Sequence, residues 1–214
     1  MIQQAKSVFR KTPLYSLAQR WRKSGLYIEL ARAGHLVAPP YEVKRLTIRL
    51  YRELYGPRTF VETGTYLGDT VEAVRGDFER IYSVELHPEL ARDAQNRFAG
   101  DPNIRILQGD SAELLPGILR EVEGPCLLWL DGHYSSAGTA RGSKDTPILE
   151  ELAHVFRDRG RDHVILIDDA RLFDGRPDYP KIAELRRVIH GYRPDYLFEV
   201  SHDIIRAAPR TREQ

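Results

Sequence analysis

The sequence predicts one α/β domain built on a mostly parallel sheet, preceded by a helical arm. Three observations predict it. From about Arg58 onward, short β-branched and apolar runs alternate with segments of helical period. The first four apolar runs each end in, or are followed by, an acidic residue. A turn carrying Gly64 and Gly68 joins the first run to the first helical segment. The chain has 214 residues, which suits one sizeable domain that needs no covalent staples.

The arm spans 1–57. Thr12 can cap a helix and Pro13 suits its first position, where the missing N–H would be unpaired anyway. Leu14, Leu17, Ala18 and Trp21 then form one apolar stripe that stops near Gly25. Residues 1–28 hold Lys6, Arg10, Lys11, Arg20, Arg22 and Lys23 and no acid. This basic amphipathic helix can pack on the core, pack on a second copy in a homodimer, or lie on an anionic membrane surface. A second helix starts near Pro40, with Val43, Leu46, Leu50 and Leu54 inward, and ends at Gly56-Pro57.

The core occupies 58–214. Strands are expected at Thr59–Thr63, Arg80–Glu85, Ile104–Gln108, Cys126–Leu130 and His163–Ile167. Helical patterns separate or follow them at Val71–Phe78, Pro88–Phe98, Ala112–Val122, Pro147–Phe156 and Tyr179–Ile189. Tyr196–Val200 and Ile204–Ala207 lie a short gap apart and predict an antiparallel hairpin at the sheet edge.

Bulk properties narrow the function. A net charge of +1 argues against a nucleic-acid partner. Cys126 is the single cysteine and sits in an apolar run, so it is expected to be buried, and no internal disulfide can form. No apolar run approaches the roughly 20 residues of a membrane span, and the N-terminus lacks a signal peptide's apolar stretch. The expected location is cytoplasmic.

The acids are placed in register. Glu62 and Glu85 end strands one and two, and Asp110 and Asp131 follow strands three and four. Open parallel sheets bind ligands beyond the carboxyl ends of their strands, where strand order reverses, so these four carboxylates are expected to line one rim. Strand one runs into Glu62-Thr63-Gly64-Thr65-Tyr66-Leu67-Gly68-Asp69-Thr70. A dinucleotide fingerprint would place glycine where Tyr66 stands, so a bound pyrophosphate is disfavoured.

On these residues the chain resembles the class I S-adenosylmethionine methyltransferases. Val61 to Gly68 looks like their first motif, Glu85 like the acid that takes both ribose hydroxyls, Gly109-Asp110-Ser111 like the segment near adenine, and Leu130-Asp131-Gly132-His133-Tyr134 like the motif beside the transferred methyl. The resemblance covers about Arg58 to Pro209. It implies a Rossmann-like fold with seven strands in the order 3-2-1-4-5-7-6. It also implies S-adenosylmethionine contacts from Glu62, Thr63, Gly64, Thr65, Tyr66, Gly68, Asp69, Thr70, Glu85, Asp110, Ser111 and Asp131. More narrowly, Glu-Thr-Gly-Thr-Tyr, Leu-Asp-Gly-His-Tyr and Ile-Asp-Asp-Ala-Arg resemble a bacterial branch near the metal-dependent sugar O-methyltransferases.

Strand five ends in Ile167-Asp168-Asp169-Ala170-Arg171. Adjacent strands four and five would gather Asp131, Asp168 and Asp169, and a divalent cation such as Mg²⁺ would relieve their repulsion. As in the metal-dependent relatives, it would grip the acceptor and activate its hydroxyl. The alternative is that Asp168 or Asp169 caps a turn or pairs with Arg171, leaving Asp131 to the cofactor. His133 and Asp131 are the catalytic candidates: His133 can take the proton of an attacking hydroxyl, or can simply tie down its loop. The loop from Tyr134 to Lys144 carries Arg141 and Lys144 and is either a cover for the acceptor or a solvated loop. The function expected is methyl transfer to a small hydroxylated, sugar-like or polyol acceptor. The alternatives are an oxygenase or other reaction on the same scaffold, and a non-catalytic nucleotide-binding protein.

Overall fold

The structure is a computed structural model, and it describes residues 25–132, 145–157 and 160–210. The stripe from Thr12 to Trp21, His133, and the loop with Arg141 and Lys144 lie outside the described residues.

The strands are β1 (Thr59–Thr63), β2 (Arg80–Glu85), β3 (Ile104–Gln108), β4 (Cys126–Leu130), β5 (Val164–Ile167), β6 (Tyr196–Ser201) and β7 (Ile204–Pro209). They form one sheet in the order β3-β2-β1-β4-β5-β7-β6. The first five pair in parallel, and β7 runs antiparallel to both β5 and β6. The first four strands match the expected bounds. β5 starts one residue later than expected because His163 plays another part: its buried Nδ1 accepts the Cys126 N–H at 3.0 Å.

The helices are α1 (Tyr41–Tyr55), α2 (Asp69–Val74), α3 (Pro88–Arg97), α4 (Ser111–Glu121), α5 (Ile148–Arg157) and α6 (Ile182–Tyr192). Residues 25–32 are also helical. The starts follow local chemistry. The His87 side chain accepts the Glu89 N–H ahead of α3, with Pro88 at the first turn. Asp110 accepts the Ala112 N–H at 2.9 Å and caps α4. Gly56, in the left-handed region, ends α1. α6 starts later than predicted because Tyr179 packs on Phe173, with ring centroids 5.7 Å apart, before the helix begins at Ile182.

Both faces of the sheet are covered, so its central strands are apolar throughout. Val61, Leu128 and Ile165 point to the side covered by Leu115, Leu119 and Leu152 of α4 and α5. Phe60, Leu127, Trp129 and Leu166 point to the other side, against Ile48, Val71 and Ala94 of α1, α2 and α3.

One expectation about α1 is overturned. Leu46, Leu50 and Leu54 are 58%, 50% and 56% exposed, not inward. The face on the sheet carries Lys44, Thr47, Ile48, Tyr51 and Tyr55; Ile48 is fully buried, with Tyr51 and Tyr55 packed against the same cluster. α1 is apolar on two faces, so its period alone did not select the buried one.

Candidate active site at the carboxyl ends of the strands

The loop from β1 to α2 is held from three directions. Gly64 has φ +87°, and its N–H donates to the Val84 carbonyl at 2.9 Å. A Cβ at Gly64 would lie 2.5 Å from the Asp131 carbonyl oxygen, so only glycine lets the loops after β1 and β4 cross here. Gly68 has φ +79°, and a Cβ there would strike the Phe98 ring at 2.8 Å. Between them, Tyr66 also adopts a positive φ of 49°, unusual for a bulky residue. Its N–H donates to Glu85 Oε2 at 2.7 Å, which anchors the strained residue.

Glu85 ends β2 and is buried. Its other oxygen, Oε1, accepts the His87 N–H at 2.9 Å. Each carboxylate oxygen thus holds one backbone donor and keeps a lone pair for another. Two such oxygens suit a vicinal diol, whose two hydroxyls can both donate. Gly109 approaches this point, its N–H donating to the Glu85 carbonyl at 2.9 Å, and brings Asp110 and Ser111 to the same end of the sheet.

Glu62 lies beneath the loop rather than on the open rim, which corrects the expectation for that residue. It is 1% exposed, and Ser83 Oγ donates to it at 2.5 Å. Thr65 Oγ1 is 2.6 Å from Ser83 Oγ, and the Thr70 hydroxyl also serves Glu62. Burial pushes the Glu62 carboxyl up to about 8, against the pull of the Ser83 and Thr70 hydroxyls. The side chains of Thr65 and Thr70 therefore tie the loop down from below, while the Asp69 carboxylate pairs with Arg97 at 3.0 Å on the surface. What the loop offers a ligand is mainly backbone.

A second buried acid, Glu151 of α5, joins the site without having been expected there. Ser111 Oγ donates to Glu151 Oε1 at 2.7 Å. A Cβ at Gly132 would meet Thr63 Oγ1 at 3.1 Å and Glu151 Oε1 at 3.4 Å, so this acid touches the ends of β1, β3 and β4 at once. Burial pushes its carboxyl up to about 7; the Ser111 and Thr63 hydroxyls oppose that, and the charges of Asp110 and Glu150 add to it.

Asp131, Asp168 and Asp169 do come together, with the Asp168 N–H on the Leu130 carbonyl at 3.1 Å. They are not left to repel one another. The Lys44 ammonium, delivered by α1, donates to Asp168 Oδ2 and stands 3.9 Å from Asp169 Oδ1. Burial works against the charge on Lys44, but the Asp168, Asp131 and Asp169 carboxylates outweigh it and hold its pKa above the usual lysine value. Asp169, in the left-handed region, pairs with Arg171 at 2.7 Å. The Arg171 guanidinium also pairs with Asp203, whose Oδ1 accepts the Arg171 N–H at 2.7 Å. Burial, together with the Asp168 charge, raises the Asp131 carboxyl well above the usual carboxylate range, although Lys44 pulls it down.

The sequence expectation named a divalent ion for these acids. The donor set does not fit one, because an ammonium already holds the Asp168 oxygen such an ion would use. Among the described residues, no group of three or more histidines, cysteines and acids is arranged for a metal. The Glu85 carboxylate suits the ribose of an adenosyl group, because each of its oxygens holds one backbone N–H and keeps a lone pair.

Lys44 and Glu151 are the site residues the sequence hid. Lys44 sits on a helix assigned to the arm, with no motif around it. Glu151 follows Glu150 in the first turn of α5, where paired acids usually face water.

No family model and no curated protein matches the chain. Solved structures do. An O-methyltransferase from Bacillus cereus in complex with SAH has a TM-score of 0.55 at 16% identity, covering 87% of this chain and 90% of that one. The O-methyltransferase TomG from Streptomyces achromogenes, in complex with SAM, has a TM-score of 0.55 at 19% identity over 86% and 89%. A SAH-bound Podospora anserina methyltransferase has a TM-score of 0.55 at 14% identity over 80% of each chain. The chain has the Rossmann-like methyltransferase fold, with its candidate site at the carboxyl ends of the strands.

Proposed function

We propose that this protein transfers the methyl group of S-adenosylmethionine to a hydroxyl oxygen of a small, sugar-like or polyol acceptor. The observation that carries the reading is Glu85. It closes β2 next to the Gly64 crossing, and both its oxygens are oriented by backbone N–H groups, each with a lone pair left for a ribose hydroxyl. Proteins of the same fold that are described as O-methyltransferases in complex with SAM or SAH support the cofactor and the oxygen acceptor.

When bound, S-adenosylmethionine supplies a methyl carbon already electrophilic on its sulfonium, which leaves as neutral thioether. The chain's own residues must then bind, align and take a proton. Glu85 would hold the ribose, and the backbone of Gly64 to Gly68 would line the methionine end. Asp110 and Ser111 would flank the adenine, with Glu151 fixing the Ser111 hydroxyl. With the cofactor so held, the chain's remaining task would be to align the acceptor hydroxyl and take its proton. His133, two residues beyond Asp131 in the sequence, is the candidate base, and Asp131 is the second catalytic candidate. His133→Ala is expected to lower kcat by about 100-fold or more with KM little changed; an unchanged kcat removes it as the base.

Calorimetry with S-adenosylhomocysteine tests the cofactor reading. Wild type is expected to bind, and Glu85→Ala to bind at least about tenfold more weakly, since two hydrogen bonds to a charged acceptor are lost. A labelled-methyl assay over hydroxylated acceptors then tests the transfer. Absence of binding by folded wild type overturns the proposal.

A further inference from the structure

The carboxylate cluster is compensated from within the chain. Asp168 is 1% exposed, and Lys44 Nζ donates to its Oδ2. Asp169 leans on Arg171, which it shares with Asp203. Lys44 therefore stands among three acids at the strand ends, where the sequence offered a divalent ion as one of two readings. Asp168 Oδ1 is buried without a hydrogen-bond partner among the described residues, so the ammonium leaves one acceptor of the cluster unanswered. A hard dication needs several oxygens at short range and would have to displace Lys44 from Asp168. Lys44 is also rigidly delivered: Ile48, one turn further along α1, is fully buried against the sheet. An ammonium has three N–H donors, and Asp168 takes one.

We propose that Lys44 is this protein's built-in cation, taking the seat a divalent metal would otherwise hold among Asp131, Asp168 and Asp169. The site then needs no metal, and a free N–H of Lys44 meets the acceptor's oxygen in its place. A metal grips two adjacent oxygens, whereas a single ammonium engages one. The acceptor need not be a chelating diol; one hydroxyl is enough. The link to an acceptor rests on the methyltransferase reading, but the cation balance does not.

Mn²⁺ titrated into the chelator-treated full chain, followed by electron paramagnetic resonance, tests this. Wild type and Lys44→Arg are expected to leave Mn²⁺ free. Lys44→Ala is expected to bind one Mn²⁺ per chain at least tenfold more tightly than wild type, and Lys44→Ala with Asp168→Asn to lose it again. Lys44→Gln, which keeps an amide donor on Asp168 without the charge, gives the same gain if the alanine variant folds poorly. Wild type binding Mn²⁺ as tightly as Lys44→Ala overturns the proposal, and so does a folded Lys44→Gln that binds none. Calorimetry with S-adenosylhomocysteine on the same samples separates the two readings. Its failure in wild type strikes the cofactor assignment and leaves the Mn²⁺ result to judge Lys44 alone.

Discussion

A Cβ at Gly64 would lie 2.5 Å from the Asp131 carbonyl oxygen, and the glycine's φ of +87° is one that side-chain-bearing residues resist. Gly64→Ala must push the two loops apart or strain the backbone, at a cost of about 1–3 kcal/mol. The expected outcome is a lower Tm and at least tenfold weaker binding of S-adenosylhomocysteine by calorimetry; unchanged binding would mean the crossing does not shape the pocket. Glu151 makes a pH prediction. Burial lifts its carboxyl from 4.5 to about 7 in the folded chain, so between those values the folded state holds a proton that the unfolded state has released. Stability contributed by this group is therefore full below about pH 4.5 and falls as pH rises through 7, by about 3 kcal/mol at most. Glu151→Gln keeps an acceptor for Ser111 and cannot ionise. Its denaturant-unfolding free energy is expected to fall less than that of wild type between pH 5 and 8; parallel pH curves would contradict the assignment. At this scale the sequence was legible in placing Gly64, Glu85 and Asp110 at the carboxyl ends of the first three strands, where local backbone marks them. It was silent on Lys44 and Glu151, because each reaches the site from a distant helix and no local spacing marks it.

α1 divides into a buried and an exposed face, and the two respond differently to truncation. Ile48→Ala removes a fully buried side chain from the cluster around Phe60 and Trp129 and is expected to cost about 2–4 kcal/mol. Leu50→Ala removes a half-exposed one and is expected to cost about 0.5 kcal/mol or less. Chemical denaturation of both variants checks the orientation, and a reversed order would restore the leucine face to the core. The strands were the most legible elements, since short apolar runs bounded by polar residues have few alternatives. Helix ends were less so. α2 stops at Val74, before the Gly76 turn, although apolar period continued to Phe78. The β6–β7 turn places His202 and Asp203 at φ 53° and 60° without any glycine. Asp203 is held there from outside, its carbonyl taking the Ala170 N–H at 2.8 Å and its side chain taking Arg171. His and Asp tolerate this region better than most residues, and the tertiary contacts of Asp203 hold the turn in it without glycine.

For the whole molecule, the strand order places the reversal between β1 and β4, and the candidate site opens there. Among the described residues no helix is long and apolar enough to cross a membrane. The arm is not a bystander: α1 carries Ile48 into the core and Lys44 into the acid cluster, so the same helix serves stability and site. The sheet order was legible only through resemblance, since strand runs fix the elements but not their neighbours. The central claim is that the carboxyl ends of β1, β2 and β3 form an adenosyl pocket read by Glu85. A crystal structure of the chain soaked with S-adenosylhomocysteine tests it most directly. The account predicts both ribose hydroxyls within hydrogen-bonding distance of the Glu85 oxygens and the thioether beside Gly64. Ligand bound elsewhere, or a ribose turned away from Glu85, would contradict it.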